Sequence, residues 1–110
     1  MKIHDVRNVA TSGAAARGTR PSSAVVHDGP DARLVLFRFD PEQEVPPHVS
    51  SSSVLLTILE GEGVVSGADG ERDVHRGDVV SFEPNELHGM RSRAESFVVL
   101  ATIAPRPGTR

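Results

Sequence analysis

Short apolar segments separated by turn residues make up most of the chain. β-Branched and aromatic residues are concentrated in these segments, and Gly, Pro and Asp mark turns at 28–31, 69–70 and 76–78. The predicted strands are 34–39, 54–59, 64–66, 71–75, 79–82 and 97–103, with shorter candidates at 6–10 and 23–27. No window of about a dozen residues keeps the helical period, so we expect little or no helix. The pattern favours an all-β antiparallel sandwich or barrel.

Side-chain alternation along the predicted strand at 54–59 divides its residues between two faces. One face carries Val54, Leu56 and Ile58, and the other carries the residues between them and Leu59. Neither face holds a carboxylate or an imidazole. The strand is therefore predicted to supply an apolar wall, whichever face lies inside.

The segments around His48 and His88 resemble the two signature motifs of the cupin superfamily, G-x5-H-x-H-x3-E-x6-G and G-x5-P-x-G-x2-H-x3-N. His48 and Gly61 match the first motif, and Gly77 and His88 match the second at the expected spacing. Pro84 stands one place late, and the remaining motif positions are occupied by Glu42, Ser50, Val54, Asn85 and Ser92. The resemblance covers about residues 34–104. It implies a small single-domain cupin of the all-β class, a double-stranded β-helix or jelly-roll barrel.

The resemblance carries an expectation about metal binding. The cupin centre that these segments resemble consists, when complete, of three histidines and one glutamate that bind Fe, Mn, Ni or Zn. In this chain Ser50 replaces the second histidine and Val54 replaces the glutamate, so His48 and His88 remain as the metal ligands. We therefore expect a divalent metal to be weakly bound or absent. Further donors lie nearby in the sequence without the motif spacing, namely Gln43, Glu44, His75 and Glu83.

The motif match also implies that His48 and His88 face the barrel interior. Alternation then places Ser50 on the same face as His48, with Val49 pointing away, and gives Met90 the same parity as His88. We predict that His48, Ser50, His88 and Met90 line a ligand-binding pocket. The plainer interpretation is that His48 is a half-exposed strand residue and that the serine run beginning at Ser50 is a solvated loop.

Three functions are open at this point. The first hypothesis is that the barrel binds a small organic molecule, in a regulatory or sensing role without an assigned reaction. The alternative is a metal-dependent enzyme, a dioxygenase or an isomerase, in which His48 and His88 hold the ion and leave open positions. The third is metal-free acid–base catalysis by either histidine, because the ordinary imidazole pKa of about 6.5 suits proton transfer near neutrality.

The composition of the chain argues against several classes of binding partner. The chain has 110 residues, enough for one domain, and a formal net charge of −3 with scattered basic residues, so no nucleic-acid partner is expected. It has no Cys, which excludes disulfides and thiolate ligands, and neither Trp nor Tyr, which disfavours a base-stacking platform. The N-terminus lacks the apolar stretch of a signal peptide, and no segment reaches about 20 apolar residues. We expect no membrane partner and a cytoplasmic location.

A segment near the N-terminus and the C-terminal end lack the strand pattern of the rest of the chain. We expect a core at about 34–104, a mobile loop at 11–20, where Gly, Ala, Ser and Thr show no hydrophobic pattern, and a disordered tail at 105–110. A short all-β chain exposes edge strands, and small cupins are commonly dimers in which sheets join. We therefore also expect a homodimer.

Overall fold

The computed structural model describes residues 1–12, 18–93 and 95–107. These residues form no helix and nine strands, which are β1 (Ser22–Asp28), β2 (Arg33–Phe39), β3 (Glu44–His48), β4 (Ser53–Glu60), β5 (Glu62–Gly67), β6 (Gly70–His75), β7 (Val79–Phe82), β8 (His88–Ser92) and β9 (Phe97–Ala104). The all-β class is confirmed. The strands predicted from residue 34 onward correspond to β2, β4, β5, β6, β7 and β9, and the candidate at 23–27 corresponds to β1. Nothing in the described ranges could cross a membrane as a helix.

Two strands, β3 and β8, lie outside the ranges predicted for strands, and they carry the two histidines. Pro46 and Pro47 in β3 donate no backbone hydrogen bond, and β8 contains Gly89, so neither segment has the composition typical of a strand. The strand predicted at 6–10 is wrong. Residues 6–8 form a turn, because the N–H of Asn8 donates to the carbonyl of Asp5 over 3.0 Å.

The strands pair antiparallel in two sheets. The five-stranded sheet has the order β1-β2-β9-β4-β7, and the four-stranded sheet has the order β3-β8-β5-β6. From β2 to β5, and again from β6 to β9, each successive strand lies in the other sheet, so the chain winds back and forth between the layers. This winding is the jelly-roll arrangement that the sequence motifs imply.

The core fills the space between the sheets. Val54, Leu56 and Ile58 of β4 are buried, whereas Leu55 between them is 37% exposed, which confirms the predicted alternation. The inner face of β4 is thus the face without a polar side chain. The largest fully buried side chains are Phe39, Phe97, Leu36, Ile58 and Val99.

The N-terminal segment is tied to the five-stranded sheet by Arg38 of β2. The guanidinium of Arg38 donates hydrogen bonds to the backbone carbonyls of Val6 at 3.4 Å and Arg7 at 3.3 Å, and also to that of Val9. A charged donor shared among carbonyls satisfies backbone groups that no strand pairs. The segment is therefore held against the sheet without being part of it.

The loop expected at 11–20 has described ends and a centre, residues 13–17, that lies outside the described residues. Ser12 forms a β-bridge with Ser23 of β1. On the other side, the carbonyl of Thr19 accepts a hydrogen bond from the N–H of Glu44 over 2.7 Å. The two ends of the loop are thus attached to β1 and to β3.

Candidate functional site

The two histidines face each other across the antiparallel pair formed by β3 and β8. In its register Val45 lies opposite Met90, and His48 lies opposite His88. Residues directly opposite each other in an antiparallel pair project to the same face of the sheet. Both imidazoles therefore lie on one face, together with Met90, and this face is turned toward the other sheet.

A β-bulge sets this register. Between the two pairs, β3 contributes Pro46 and Pro47, whereas β8 contributes only Gly89. The prolines are tolerated because β3 is the edge strand of its sheet, where no outer neighbour requires their missing N–H groups. Without the extra residue, Pro47 would lie opposite His88, and the side chain of His48 would turn to the other face.

Gly89 allows the bulged strand to approach β8 closely. A Cβ atom at this position would lie 2.9 Å from the nitrogen and 3.1 Å from the Cα of Pro47, and 2.8 Å from the hydroxyl of Ser66. The hydroxyl can rotate away, but the proline backbone has to move as part of the strand. The bulge therefore requires a residue without a side chain at position 89.

The imidazoles of His48 and His88 are in contact. Their ring centroids are 4.3 Å apart, and the ring planes are inclined by 59°. The ring of His88 also packs against Phe82 of β7, in the other sheet, with centroids 5.1 Å apart. His88 is 6% exposed, whereas His48 is an exposed residue, so the pair runs from the mouth of the site into the interior.

Backbone carbonyls fix the orientation of both rings. Nδ1 of His48 lies 2.9 Å from the carbonyl oxygen of Pro46, and Nδ1 of His88 lies 2.9 Å from that of Glu86. Since a carbonyl oxygen only accepts, each Nδ1 donates and carries the ring proton of the neutral imidazole. In the neutral form of each ring Nε2 then holds a lone pair, for which the described residues provide no hydrogen-bond donor.

The surroundings of His88 favour its neutral form. Burial away from water lowers the pKa of His88 from the ordinary value of 6.5, and the nearby imidazole of His48 lowers it further. The hydrogen bond to the Glu86 carbonyl and the charge of the Glu86 side chain oppose this shift, and burial is the larger effect. His88 is therefore neutral near physiological pH.

The histidine pair opens onto a cavity of about 310 Å³ between the two sheets. Its polar side chains are those of His48, His88 and Ser50, and no charged side chain is found among the described residues that line it. The other lining residues are Phe37, Val45, Val49, Val54, Leu56, Gly89, Met90, Ala101, Ile103 and Pro107. A cavity of this size with a few polar groups in an apolar wall is typical of small-molecule sites.

The segment that follows β9 forms one side of the cavity. Pro107 lines it, and Arg106 before it pairs with Asp28 of β1, with 2.6 Å between Nε and Oδ1. The same carboxylate pairs with Arg33 at 3.2 Å, and the hydrogen bonds from Arg106 and Arg33 lower the pKa of Asp28 to about 2. Asp28 thus remains ionised at any pH at which the protein would normally be studied.

The tail expected to be disordered from residue 105 is attached to the domain at its first residues. The hydroxyl of Ser52, which is 2% exposed, donates a hydrogen bond of 2.7 Å to the carbonyl of Pro105. Together with the ion pair of Arg106, this bond fixes Pro105 and Arg106 beside the cavity. The end of the expected tail, residues 108–110, lies outside the described residues.

All four residues predicted to line a pocket do line this cavity, namely His48, Ser50, His88 and Met90. The expected direction of Val49 is wrong: it also lines the cavity, because β3 ends at His48 and regular alternation ends with it. That the four residues bind a ligand stays a prediction.

The additional metal donors suggested by the sequence lie elsewhere. Gln43 is 3% exposed, and its side-chain oxygen accepts a hydrogen bond of 2.8 Å from the N–H of Asp40, while Glu44, His75 and Glu83 are exposed. Across residues 1–12, 18–93 and 95–107, no three His, Asp, Glu or Cys side chains are grouped so that they could hold a metal ion. Two imidazoles are fewer protein ligands than structural or catalytic metal sites usually have. The residues present do not fit a tightly held resident metal.

Most of the apolar wall was not predicted from the residue pattern. Ala101 and Ile103 of β9 share parity with the buried Val99, so alternation along the predicted strand at 97–103 contained the signal for them. Phe37 had the same kind of signal on β2. Pro107 had none, because its position depends on the pairing of Arg106 with a residue 78 positions away in the sequence.

Comparison with known proteins agrees with this architecture. The family model described as "Cupin domain" matches residues 35–103. Among solved structures, the TT1209 protein of Thermus thermophilus is similar with a TM-score of 0.86 and 26% identity, covering 97% of this chain and 100% of that one. An RmlC-like cupin protein of Desulfovibrio desulfuricans has a TM-score of 0.80 and 30% identity, with 96% and 97% covered.

A third similar structure is an uncharacterized conserved protein with a double-stranded β-helix domain from Klebsiella pneumoniae. Its TM-score is 0.83 at 25% identity, covering 96% of this chain and 91% of that one. No protein with curated function matches the sequence.

The first prediction concerns the close approach at Gly89. We expect Gly89→Ala to reduce the free energy of unfolding by about 1–3 kcal/mol, because the new methyl group displaces the Pro47 backbone. Urea unfolding measures the loss. The double variant Gly89→Ala/Ser66→Ala removes the hydroxyl contact alone, so we expect little recovery. Full recovery in the double variant would show that the proline contact is unimportant.

The second prediction concerns pH. Because the pKa of His88 is lowered in the folded protein, the unfolded chain takes up a proton near the ordinary value of 6.5 while the folded protein does not. Stability should therefore fall more steeply between about pH 7 and pH 5 in the wild type than in His88→Gln. Urea unfolding at several pH values measures the difference. Titration of the His88 ring by NMR at or above 6.5 would contradict the assignment.

Proposed function

This chain belongs to the cupin domain family, and from that premise we propose that it binds a small, largely apolar organic molecule in the cavity between its sheets. No reaction is assigned. The observation that carries the proposal is the position of the histidine pair, which forms the polar corner of an otherwise apolar cavity of about 310 Å³.

The cavity has the features of a binding site that orients its ligand. Its apolar wall comes largely from β2, β4 and β9 of the five-stranded sheet, and its imidazoles come from β3 and β8 of the other sheet. Burial of an apolar ligand surface contributes roughly 25 cal/mol per Å², and directed hydrogen bonds then select among ligands of similar size. Binding energy and selectivity are thus supplied by different walls.

Binding accounts for the site better than acid–base catalysis does. A catalytic imidazole usually has a carboxylate or another titratable group that sets its proton affinity. Within the described part of the chain, His48 is the titratable side chain that faces His88 in the cavity, and both Nδ1 protons are donated to backbone carbonyls. The arrangement fixes the rings and leaves lone pairs for contact with a ligand.

A metal-dependent enzyme is the second candidate, and one observation favours it. Metal-ligating histidines commonly donate their other ring N–H to a backbone carbonyl, as His48 and His88 do. When bound, a divalent ion would act as a Lewis acid toward substrate or water. The shortage of protein ligands weighs against this candidate, so we place it second.

The third prediction tests access to the cavity. Val49 at the cavity wall and Val79 on β7 are almost equally exposed, at 58% and 59%, and Val79 does not line this cavity. We expect Val49→Trp to weaken binding of cavity ligands at least about tenfold by filling the entrance, and Val79→Trp to leave binding unchanged. Ligands are found by a thermal-shift screen of small organic molecules, and affinities are measured by isothermal titration.

Two outcomes would contradict the proposal. One is an equal loss of binding in Val49→Trp and Val79→Trp, since the ligand site would then lie elsewhere. The other is near-stoichiometric iron, manganese, nickel or zinc in protein purified without a histidine tag, lost in His48→Ala and in His88→Ala and accompanied by turnover. That result would favour the enzyme.

We also propose a homodimer formed along β1. This strand is an edge of the five-stranded sheet, and its Val25 is 58% exposed. The rings of His4 and His27 lie 6.0 Å apart, so the N-terminal residues with the exposed Ile3 adjoin the same edge. Ser12 bridges Ser23 near one end of this edge, and beyond the bridge an exposed apolar edge strand is a template for pairing with another chain. The cytoplasmic location expected from the sequence likewise stays a prediction.

The fourth prediction follows from this assembly. Light scattering after gel filtration should give twice the chain mass of 11.7 kDa for the wild type. Val25→Lys should reduce the mass to that of one chain, because a lysine on an edge strand opposes pairing. Val79→Lys, on the opposite edge strand β7, should remain dimeric. A monomeric wild type would refute the dimer.

A further inference from the structure

The polar corner of the cavity has a defined hydrogen-bonding character. Each imidazole donates its Nδ1 proton to a backbone carbonyl, over 2.9 Å in both rings, so in its neutral form each ring lining the cavity keeps an unprotonated Nε2. With the rings 4.3 Å apart, the corner offers two adjacent acceptors. A ligand that contacts both has to supply hydrogen-bond donors.

Ser50 adds one group of the opposite kind. Its hydroxyl oxygen accepts a hydrogen bond of 3.1 Å from the N–H of Ser52, so the hydroxyl hydrogen remains free to be donated. A ligand oxygen that donates to an imidazole can accept this hydrogen. The three polar groups together match hydroxyl groups, which both donate and accept.

The rest of the cavity selects against a charged ligand. No Lys, Arg, Asp or Glu side chain lines the cavity in the described ranges, so an ionised carboxylate or amine would lose its hydration without gaining a counter-charge. The walls are instead formed by apolar side chains, among them Phe37 and Met90. These surfaces suit the body of a flat, apolar molecule.

On the basis of the binding function proposed above, we infer that the ligand is a neutral aromatic or enolic hydroxyl compound whose hydroxyl protons are accepted by Nε2 of His48 and Nε2 of His88. Phenols and enols are stronger hydrogen-bond donors than aliphatic alcohols, and their planar bodies are largely apolar. Two neighbouring hydroxyl groups on one ring match two neighbouring acceptors. A vicinal aromatic diol can therefore donate to both imidazoles, whereas a phenol with one hydroxyl group can donate to only one.

Three probes that share a naphthalene body test this inference on the wild-type protein. They are 2,3-dihydroxynaphthalene, 2-naphthol and 2,3-dimethoxynaphthalene, which present two donors, one donor and none. Isothermal titration in buffer with EDTA, which prevents chelation of stray metal by the diol, gives the affinities. We expect each hydroxyl proton to tighten binding roughly three- to tenfold, as one accepted hydrogen bond does.

Matched variants locate the acceptors. His48→Phe keeps a ring of similar shape and removes an acceptor at an exposed position, so it should fold, and it should reduce the preference for the diol over 2-naphthol to about twofold or less. The control is His75→Phe on β6, where the side chain is 70% exposed and lies outside the cavity. This variant should bind the three probes with the same differences in affinity as the wild type. His88→Phe should act like His48→Phe if its thermal unfolding remains cooperative.

The results distinguish the inference that the ligand donates hydrogen bonds from the proposal that the cavity binds a ligand. Equal affinity for the diol and its dimethyl ether, lost in Val49→Trp, would overturn the donor inference while cavity binding stands. Tighter binding of 2-naphthoate than of the diol would overturn it as well, because a carboxylate needs donors at the corner. Failure of every probe and of the wider ligand screen would overturn both the inference and the binding function.

Discussion

The candidate site depends on one local constraint, the bulge of β3 against Gly89 of β8. Pro46 and Pro47 occupy the space opposite a single residue, and this extra residue brings His48 opposite His88. The prolines are permitted because β3 is an edge strand, and the close approach is permitted because position 89 has no side chain. In a regular register without the bulge, the side chain of His48 would project from the outer face of the sheet.

The two sheets make different contributions to the site because of the position of each strand. β4 and β9 are central in the five-stranded sheet, so their inward residues are buried and apolar, and they form much of the cavity wall. β3 is an edge strand, which keeps His48 near solvent, whereas His88 on the neighbouring β8 is enclosed. One imidazole is exposed to solvent and its partner is buried, and burial of the partner lowers its pKa.

Much of the fold could be predicted from residue patterns, because alternation and turn chemistry are local. The strand at 54–59 and its buried face followed from period-two alternation, and the histidine pair followed from motif spacing. The bounds of β3 could not be predicted, since Pro46 and Pro47 carry a signal against strands and only their edge position makes them acceptable. The side of the cavity at Pro107 could not be predicted either, because it depends on the ion pair between Arg106 and Asp28, two residues far apart in sequence.

The two metal-ligand positions of the cupin motif that are replaced in this chain change the chemistry of the site in one direction. Val54 stands where the motif has a glutamate, and it is 4% exposed and lines the cavity, so the position remains at the site but contributes no charge. Ser50 stands where the motif has a second histidine, and it also lines the cavity. A divalent ion in this cavity would lose hydration with no carboxylate to compensate, whereas a neutral hydroxyl compound loses little and gains two acceptors. The same two replacements that weaken a metal site therefore favour a neutral organic ligand.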